Sequence, residues 1–285
     1  MRTNESPSDE QLVAAARDGE LPALEQLVRR HQDFIYNVAL RYALNPTEAQ
    51  DLSQEALVKI VTRIATFSGA ASFRTWAYRI VVNTFLDGKR GALEEQIVDF
   101  SAYGGALDAL PLSDPPAAPP QELRLQVQEA KLGCMLGMLL CLDRPQRLVF
   151  ILGDLFQLPA ATGAEIFELT PAAYRKRLQR ARADLASFMN DKCGLINRAN
   201  PCRCRRKTAA FIEAGWVDPK QLKFTRPHLR RLADAAREGA EEMDDLLERA
   251  YVDLYRQHPF YDAPATAERF RSLLADERVR RVFRV

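Results

Sequence analysis

Helical periodicity runs through most of the chain, and it limits the possible folds more than any other feature. From Leu24 onward, apolar residues recur every three or four positions, as at Leu27, Val28, Ile35 and Val38. This spacing is typical of one buried face of an amphipathic helix. No stretch of any length alternates apolar and polar residues as a half-buried strand would. The sequence therefore predicts an all-α fold.

Helix-starting signals divide this pattern into separate elements. Asn45 is a good N-cap and Pro46 suits the first helical position, so a helix is expected to begin there. Ser72 is the cap expected for a further helix, which turns Phe73 and Ile80 inward.

The segment 91–122 has a different composition from its surroundings. It contains no Lys or Arg, carries six acidic residues and ends in paired prolines. We expect an extended acidic linker here rather than a packed element. Because 285 residues suggest about two domains, the linker is expected to separate them.

The overall charge and hydropathy place few limits on function. Forty Lys and Arg against 38 Asp and Glu give a formal net charge of +2, which favours no particular partner. The longest apolar run is shorter than the roughly 20 residues of a membrane span, and the N-terminus is polar rather than typical of a signal peptide. The predicted location is cytoplasmic, where five cysteines indicate thiols or metal ligands rather than a disulfide framework.

A basic helix-turn-helix pattern carries the strongest functional signal. In "LPAATGAEIFELTPAAYRKRLQRARADL", a short helix precedes a turn at Glu168 and Leu169, and Thr170 caps a second helix. That second helix is rich in Arg and Lys on the side away from Leu178 and Leu185. The arrangement is typical of a DNA-binding motif whose second helix enters the major groove. The alternative is a basic helix that is merely solvated.

Two blocks resemble one bacterial family. The helix-turn-helix block resembles the fourth domain of a sigma-70-family factor. The block "NPTEAQDLSQEALVKIVTRIATFSGAASFRTWAYRIVVNTFLDGKR" resembles the second domain. The linker between them, in place of a third domain, points to the extracytoplasmic-function (ECF) group. The resemblance implies two helical sigma domains, the first a three-to-four-helix bundle, and a helical C-terminal extension. The implied divisions are 1–90, 91–122, 123–190 and 191–285.

The resemblance also implies three sets of site residues. The surface that docks on core RNA polymerase is Asp51, Leu52, Gln54 and Glu55. The surface that binds and melts the −10 promoter element, partly by holding a flipped base, is Phe67, Ser68, Gly69, Ala70, Ala71, Ser72, Arg74, Tyr78, Arg79, Asn83, Lys89 and Arg90. The surface that reads the −35 element is Thr170, Ala172, Ala173, Tyr174, Arg175, Lys176, Arg177, Arg180 and Arg182. Trp76, by contrast, is expected in the core.

Four positions depart from the family pattern. Ser68 and Ala70 stand where many relatives carry Arg and an acidic residue. Gly163 stands in place of a large apolar residue, and Glu168 in place of the usual turn glycine. A glycine within a helix costs up to about 1 kcal/mol relative to alanine, so the first helix of the motif is expected to be bent or shortened.

The predicted function is promoter-specific initiation with core RNA polymerase and promoter DNA as partners, and with an anti-sigma factor as a further partner. An autonomous helix-turn-helix regulator that senses metal or redox state is the alternative. It leaves "DLSQE" and the melting block unexplained. An enzyme is not expected, because the chain has no phosphate-cradling glycine loop and its three histidines are scattered.

The cysteines form two groups. Cys134 and Cys141 lie on one apolar helical face and are expected to be core thiols. Cys193, Cys202 and Cys204 lie in a basic, turn-rich segment. They could bind zinc or another thiophilic metal, sense oxidation, or simply belong to a structural or DNA-contacting loop. No cofactor is required by the predicted function, and a closed zinc site needs a fourth ligand. His228 is a candidate for it.

The chain continues for about 95 residues beyond Met189, and this extension is expected to be folded. It could cap the DNA-binding domain, restrain the factor or receive a signal. Amphipathic helices are predicted at 207–215, 227–257 and 266–283, and "HPFYDAP" is expected to form a packed corner.

Overall fold

The computed structural model describes residues 6–97, 99–224, 255 and 260–264, and no strand occurs in that part of the chain. The α-helices are α1 Asp9–Arg17, α2 Leu21–Ala43, α3 Pro46–Thr62, α4 Phe73–Asp87, α5 Ala92–Gln96, α6 Phe100–Ala109, α7 Pro120–Leu140, α8 Arg144–Phe150, α9 Ala160–Ile166, α10 Pro171–Lys192 and α11 Cys204–Glu213. A short 3₁₀ turn, Ile64–Thr66, follows α3, and a π-type turn, Ile151–Leu155, continues α8. The all-α prediction is confirmed.

Helices α1 to α4 form the first bundle around a continuous apolar core. Ile35, Leu57, Phe73 and Phe85 are each at most 1% exposed. The predicted caps are present: Asn45 accepts from the backbone N–H of Thr47 and Glu48, and Ser72 accepts from that of Thr75. Each cap satisfies a backbone donor that would otherwise lack a partner at a helix N-terminus.

Helix α1 is an element that the sequence analysis missed. Ser8 and Gln11 form a reciprocal capping box at its start, and this Ser-x-x-Gln signal was available in the sequence. The Arg17 guanidinium donates to the backbone carbonyls of Ile64 and Phe67. Helix α1 therefore holds the chain at the entry to the loop that precedes α4.

Helices α7 to α10 form the second bundle and contain the predicted helix-turn-helix. Helix α9 is seven residues long, which agrees with the predicted short first helix. In the turn, Glu168 has φ +54°, a left-handed conformation that favours glycine. Thr170 caps α10 by accepting from the backbone N–H of Ala173 at 3.2 Å.

The prediction of an extended linker over 91–122 is wrong for its first two thirds. Helices α5 and α6 occupy this stretch, and Tyr103 and Leu107 of α6 are buried. Their spacing, together with Phe100, follows the helical period, but the acidic composition masked it. The carboxylate of Glu94 is paired with Arg144 and Arg147 of the second bundle, so this part of the segment is not a solvated tether.

The extension begins as a packed element. Helix α11 confirms the helix predicted at 207–215, and its Lys207 is buried. The Lys207 ammonium donates to the carbonyls of Leu107, at 2.6 Å, and Leu110. A cation at the end of a helix satisfies free carbonyls and complements the helix dipole. The extension therefore stabilises the end of α6.

The expected corner at "HPFYDAP" lies partly outside the described residues, but its Phe260–Pro264 portion packs on α2. Asn37 donates to the Tyr261 carbonyl at 2.6 Å and accepts from the Tyr261 N–H at 2.9 Å. The Ala263 N–H donates to Asp33 at 2.9 Å. The helices predicted at 227–257 and 266–283 lie outside the described residues apart from Tyr255.

Candidate nucleic-acid interface

Helix α10 presents most of its predicted DNA-reading residues to solvent. Exposed side chains on its outer face are Thr170, Ala172, Ala173, Arg175, Lys176 and Arg180, with Arg177 half-buried. Its inner face buries Leu178, Ala181 and Leu185. An exposed N-terminal turn followed by a cationic face can enter a major groove and neutralise phosphates.

Tyr174 is a correction to the predicted −35 surface. Its side chain is fully buried, and its ring lies so close to Gly163 that a Cβ at Gly163 would stand 2.3 Å from the ring. Burial raises the pKa of the Tyr174 hydroxyl well above its ordinary value. Tyr174 therefore packs α10 onto α9 instead of contacting DNA, and this packing explains why glycine replaces a large residue at 163.

Arg182 is also committed to an internal contact. Its guanidinium donates two hydrogen bonds, at 2.7 and 2.6 Å, to the Asp154 carboxylate. Asp154 is buried in the π-type turn, so its charge needs a partner inside the protein. Arg182 thus ties the recognition helix to its own bundle, while 47% of its side chain stays exposed, so its contact with DNA stays a prediction.

The predicted melting loop is largely accessible. Ser68, Gly69, Ala70 and Ser72 are exposed and Ala71 is half-buried, and Gly69 has φ +78°. Phe67, however, is 6% exposed. Its ring packs edge-to-face against that of Phe73, with 5.7 Å between the ring centroids. The exposed loop can receive a base, whereas Phe67 anchors it, which corrects its predicted role as a DNA contact.

Tyr78 is a second correction on this surface. It is 3% exposed, stacks on Phe34 at 4.6 Å and lies under the Arg74 guanidinium, 5.3 Å from its ring centroid. Burial raises the pKa of Tyr78 to about 12. Arg74 itself is exposed, as are Asn83, Lys89 and Arg90. Half-buried Trp76 packs against the core, as predicted.

Arg79 joins the two predicted DNA-binding surfaces. Its guanidinium donates to the Glu165 carbonyl of α9 at 3.0 Å and lies 3.3 Å from the Glu168 carboxylate. An ion pair as exposed as this one contributes little stability by itself. Its position is informative, because α4 of the first bundle rests against the helix-turn-helix of the second.

The predicted polymerase-docking residues occupy the outer side of α3. Asp51 and Glu55 are exposed, and Gln54 and Leu52 are half-buried. Glu55 pairs with Lys59 one turn later at 2.7 Å. This leaves an accessible acidic surface with a partly apolar edge, a composition that suits a protein partner with basic residues.

An arginine-carboxylate cluster that sequence reasoning missed connects the bundles. Glu94 of α5 accepts from Arg144 at 2.8 Å and from Arg147 at 3.0 Å. Arg147 is 2% exposed and also donates to the carbonyls of Tyr42, at 3.1 Å, and Leu139, at 3.0 Å. Burial opposes the charge on Glu94, but the two guanidinium groups outweigh it and lower the Glu94 pKa.

The predicted metal-binding cysteines, Cys193, Cys202 and Cys204, are half-buried free thiols. Within the described residues, no three Cys, His, Asp or Glu side chains stand in the arrangement of a formed metal site. His228, the candidate fourth ligand, lies outside those residues.

The fold and these surfaces define a helical protein with a basic helix-turn-helix and a second exposed polar surface on a separate bundle. Residues 27–93 match the family described as Sigma-70 region 2, and residues 132–185 match the family described as Sigma-70, region 4. The chain belongs to the sigma-70 family and, by its relatives, to the ECF group.

Three relatives illustrate the similarity. SigE of Mycolicibacterium smegmatis, an ECF RNA polymerase sigma factor, is 27% identical over 191 residues, which are 64% of this chain and 70% of SigE. CnrH of Cupriavidus metallidurans, an RNA polymerase sigma factor, is 26% identical over 196 residues, 66% of this chain and 97% of CnrH. The sigma-H factor of Pseudomonas aeruginosa is 38% identical, but over only 27% of this chain and 39% of its own length.

A solved structure of CnrH in complex with the cytosolic domain of CnrY is similar with a TM-score of 0.46 and 23% identity, covering 64% of this chain and 97% of that chain. This likeness is too low to support an argument about geometry.

None of the helices in the described residues has the length and apolar character needed to cross a membrane.

Proposed function

We propose that this protein is a promoter-specificity factor that joins core RNA polymerase and directs transcription initiation, without catalysing a reaction itself. The observation that carries the proposal is the presence of both sigma-70 regions in one chain, in family order, at 27–93 and 132–185. Its place of action would be the cytoplasm, where the polymerase and chromosomal DNA meet.

In this proposal, each exposed surface has one task. The acidic side of α3 docks on the polymerase. The loop 68–72 and the outer side of α4 hold the unpaired −10 strand, since a pocket must compensate the few kcal/mol that base extrusion costs. The basic face of α10 reads the −35 element through base edges and phosphates. An anti-sigma partner stays a prediction.

The two bundles have to separate for both promoter elements to be read together. The elements lie roughly 25 base pairs apart, about 85 Å of duplex at 3.4 Å per base pair. In the described arrangement Arg79 of the −10 surface is 3.0 Å from the Glu165 carbonyl beside the −35 surface. We therefore assign this arrangement to the factor before it engages promoter DNA.

Transcription in vitro tests the proposal. Core polymerase with the full chain should initiate from specific members of a promoter library, and core alone should not. Initiation that is never promoter-specific, with either the full chain or one ending near residue 224, would overturn the assignment.

A gel shift without polymerase tests the alternative of an autonomous regulator. We expect weak binding of duplex DNA by the isolated chain, because the −10 surface faces the helix-turn-helix. Tight and sequence-specific duplex binding without polymerase would favour the regulator instead.

A further inference from the structure

The loop between α10 and α11 folds back so that its two ends meet. A Cβ on Gly194 would lie 2.1 Å from the Cys202 carbonyl oxygen, so only glycine fits there. The Cys193 carbonyl accepts from the Asn197 N–H at 2.9 Å and from the Asn200 side chain at 3.3 Å. Cys193 and Cys202, nine positions apart in sequence, are thereby held in neighbouring positions.

A fourth cysteine comes from a different helix. Helix α11, which begins at Cys204, packs against α7, and α7 carries Cys134. Cys134 and Phe211 of α11 line the same cavity between these helices. The tertiary fold therefore places α7, which carries Cys134, beside the helix that begins at Cys204.

The electrostatics of the thiols agree with this placement. Burial raises the pKa of Cys134 well above its ordinary value, and Cys204, Cys193 and Cys202 raise it further. Burial raises the pKa of Cys204 to about 12, again with contributions from Cys193 and Cys202. Like-charge effects of this kind weaken with distance, so they agree with a common neighbourhood for the four thiols.

We propose that Cys134, Cys193, Cys202 and Cys204 are the four ligands of one Zn²⁺ ion, which links α7, the end of the recognition helix α10 and the start of α11. Four thiolates in tetrahedral geometry are a common structural zinc site. Cys134 supplies the fourth ligand, which the spacing of the other three cysteines does not provide. The site goes beyond the function proposed above and does not depend on it.

Binding of Zn²⁺ exchanges the protons of the thiols for the metal ion. Each of the four thiols loses its proton to solvent, four Zn–S bonds form, and no oxidation occurs. The resulting zinc-thiolate cluster carries a charge of −2. Nearby cations favour such a charge, because Arg203 and Lys207 act against burial to lower the pKa of Cys202, and Lys131 does the same for the pKa of Cys204. Because the thiols do not yet stand at ligand positions, the ion draws the loop 193–204 towards α7.

Cys141 provides a matched control on the same helix. Its thiol donates to the Gly137 carbonyl, one turn earlier, at 3.6 Å. Burial raises the pKa of Cys141 to about 12, with Asp99 and Arg147 as the further influences instead of the other thiols. A serine at 141 changes a buried thiol of α7 without touching the proposed site.

The test is metal binding by the reduced full chain. We expect one Zn²⁺ per chain after purification without chelator. Titration of the metal-free chain with Co²⁺ should give the thiolate charge-transfer and intense visible bands of a tetrahedral sulfur site. Cys134→Ser and Cys204→Ser should each weaken Zn²⁺ binding by more than the roughly 10–100-fold that loss of a hydrogen-bond partner of a ligand costs. Cys141→Ser should match the unaltered chain.

Three outcomes would overturn the proposal: no metal bound under reducing conditions, Cys134→Ser binding as tightly as Cys141→Ser, or Co²⁺ spectra without tetrahedral thiolate character. A second measurement, the melting temperature with and without Zn²⁺, distinguishes a variant that has lost the site from one that fails to fold. Zn²⁺ should raise the melting temperature of the unaltered chain and of Cys141→Ser, and it should leave that of Cys134→Ser unchanged. Promoter-specific transcription by a chain that binds no metal would leave the proposed function intact and reject only the site.

Discussion

Two arginines of α10 show how residues of one type differ in the contacts that the fold gives them. Arg175 is exposed on the outer face, whereas Arg182 donates two hydrogen bonds to buried Asp154. Sequence periodicity assigned both to the same basic surface. Only the fold distinguishes a cation that is available to a partner from one that neutralises an internal carboxylate.

We expect Arg175→Ala to weaken promoter binding by about 1–3 kcal/mol if Arg175 contacts a base bidentately, with unchanged thermal stability. Arg182→Ala should instead lower the free energy of unfolding by about 1–3 kcal/mol, because it removes two charge-assisted hydrogen bonds to the buried Asp154 carboxylate. Holoenzyme binding to promoter DNA at several salt concentrations, together with thermal melts, measures both. An Arg175→Ala effect confined to the salt slope would indicate a phosphate contact.

Gly163 shows how one atom decides the packing of α9 on α10. We expect Gly163→Ala to destabilise the protein by about 1–3 kcal/mol through overpacking, because the Tyr174 ring is fully buried and cannot move aside. Gly105→Ala in α6, where an added Cβ meets nothing within 4 Å, is the control. It should be neutral or stabilising by up to about 1 kcal/mol. Equal melting temperatures for the two variants would contradict this account.

At the scale of elements, α5 connects the bundles through a single carboxylate. Glu94 binds Arg144 and Arg147, and Arg147 in turn donates to the carbonyl of Tyr42 at the end of α2. A short acidic helix thus serves as an anchor, although composition alone indicated a solvated tether.

The stability that Glu94 contributes is expected to depend on pH. Its pKa in the folded protein is below the ordinary 4.5, so its contribution is full above 4.5 and is lost as pH falls through the lowered value. Thermal melts from neutral pH downward should show that Glu94→Gln is least stable relative to the unaltered chain near neutrality. The difference should shrink in acid. Glu95→Gln, which changes an exposed carboxylate of the same helix, is the matched control.

At the scale of the whole molecule, the extension contacts both sigma bundles. Tyr261 exchanges two hydrogen bonds with Asn37 of the first bundle, and its hydroxyl donates to the Phe224 carbonyl at 2.6 Å. The Phe224 N–H donates to Glu129 of α7 at 3.1 Å. This chain of contacts spans the two bundles, which under the proposed function have to separate when promoter DNA is bound.

Asn37→Ala should release this connection. Losing the Asn37 acceptor should speed hydrogen exchange of the Tyr261 amide by about tenfold, as expected for a stabilising contribution of roughly 1.4 kcal/mol. Arg29→Ala, at a more exposed position of α2, is the control and should leave it unchanged. Transcription from a cognate promoter should also rise if the contact restrains opening. Faster exchange with unchanged transcription would make the extension a cover rather than a restraint.

The sequence by itself determined the helices of the two sigma blocks, their caps, the helix-turn-helix and the family, because these depend on local spacing and on residues close in the chain. Helices α1, α5 and α6 were not predicted. Asn45, Ser72 and Thr170 cap helices as their types and positions predict. The same helical periodicity predicted which residues of the docking, −10 and −35 surfaces are exposed, except for those that the fold buries.

Only the tertiary structure decided which residues of those surfaces are already engaged. Tyr78 and Tyr174 are buried, and Arg182 and Glu94 have ionic partners 28 and 50 or more positions away. Helix α7, which carries Cys134, packs against α11 of the extension. Such partners are set by how helices pack. Packing depends on the summed shape and charge of surfaces that lie far apart in sequence, and no local spacing records it.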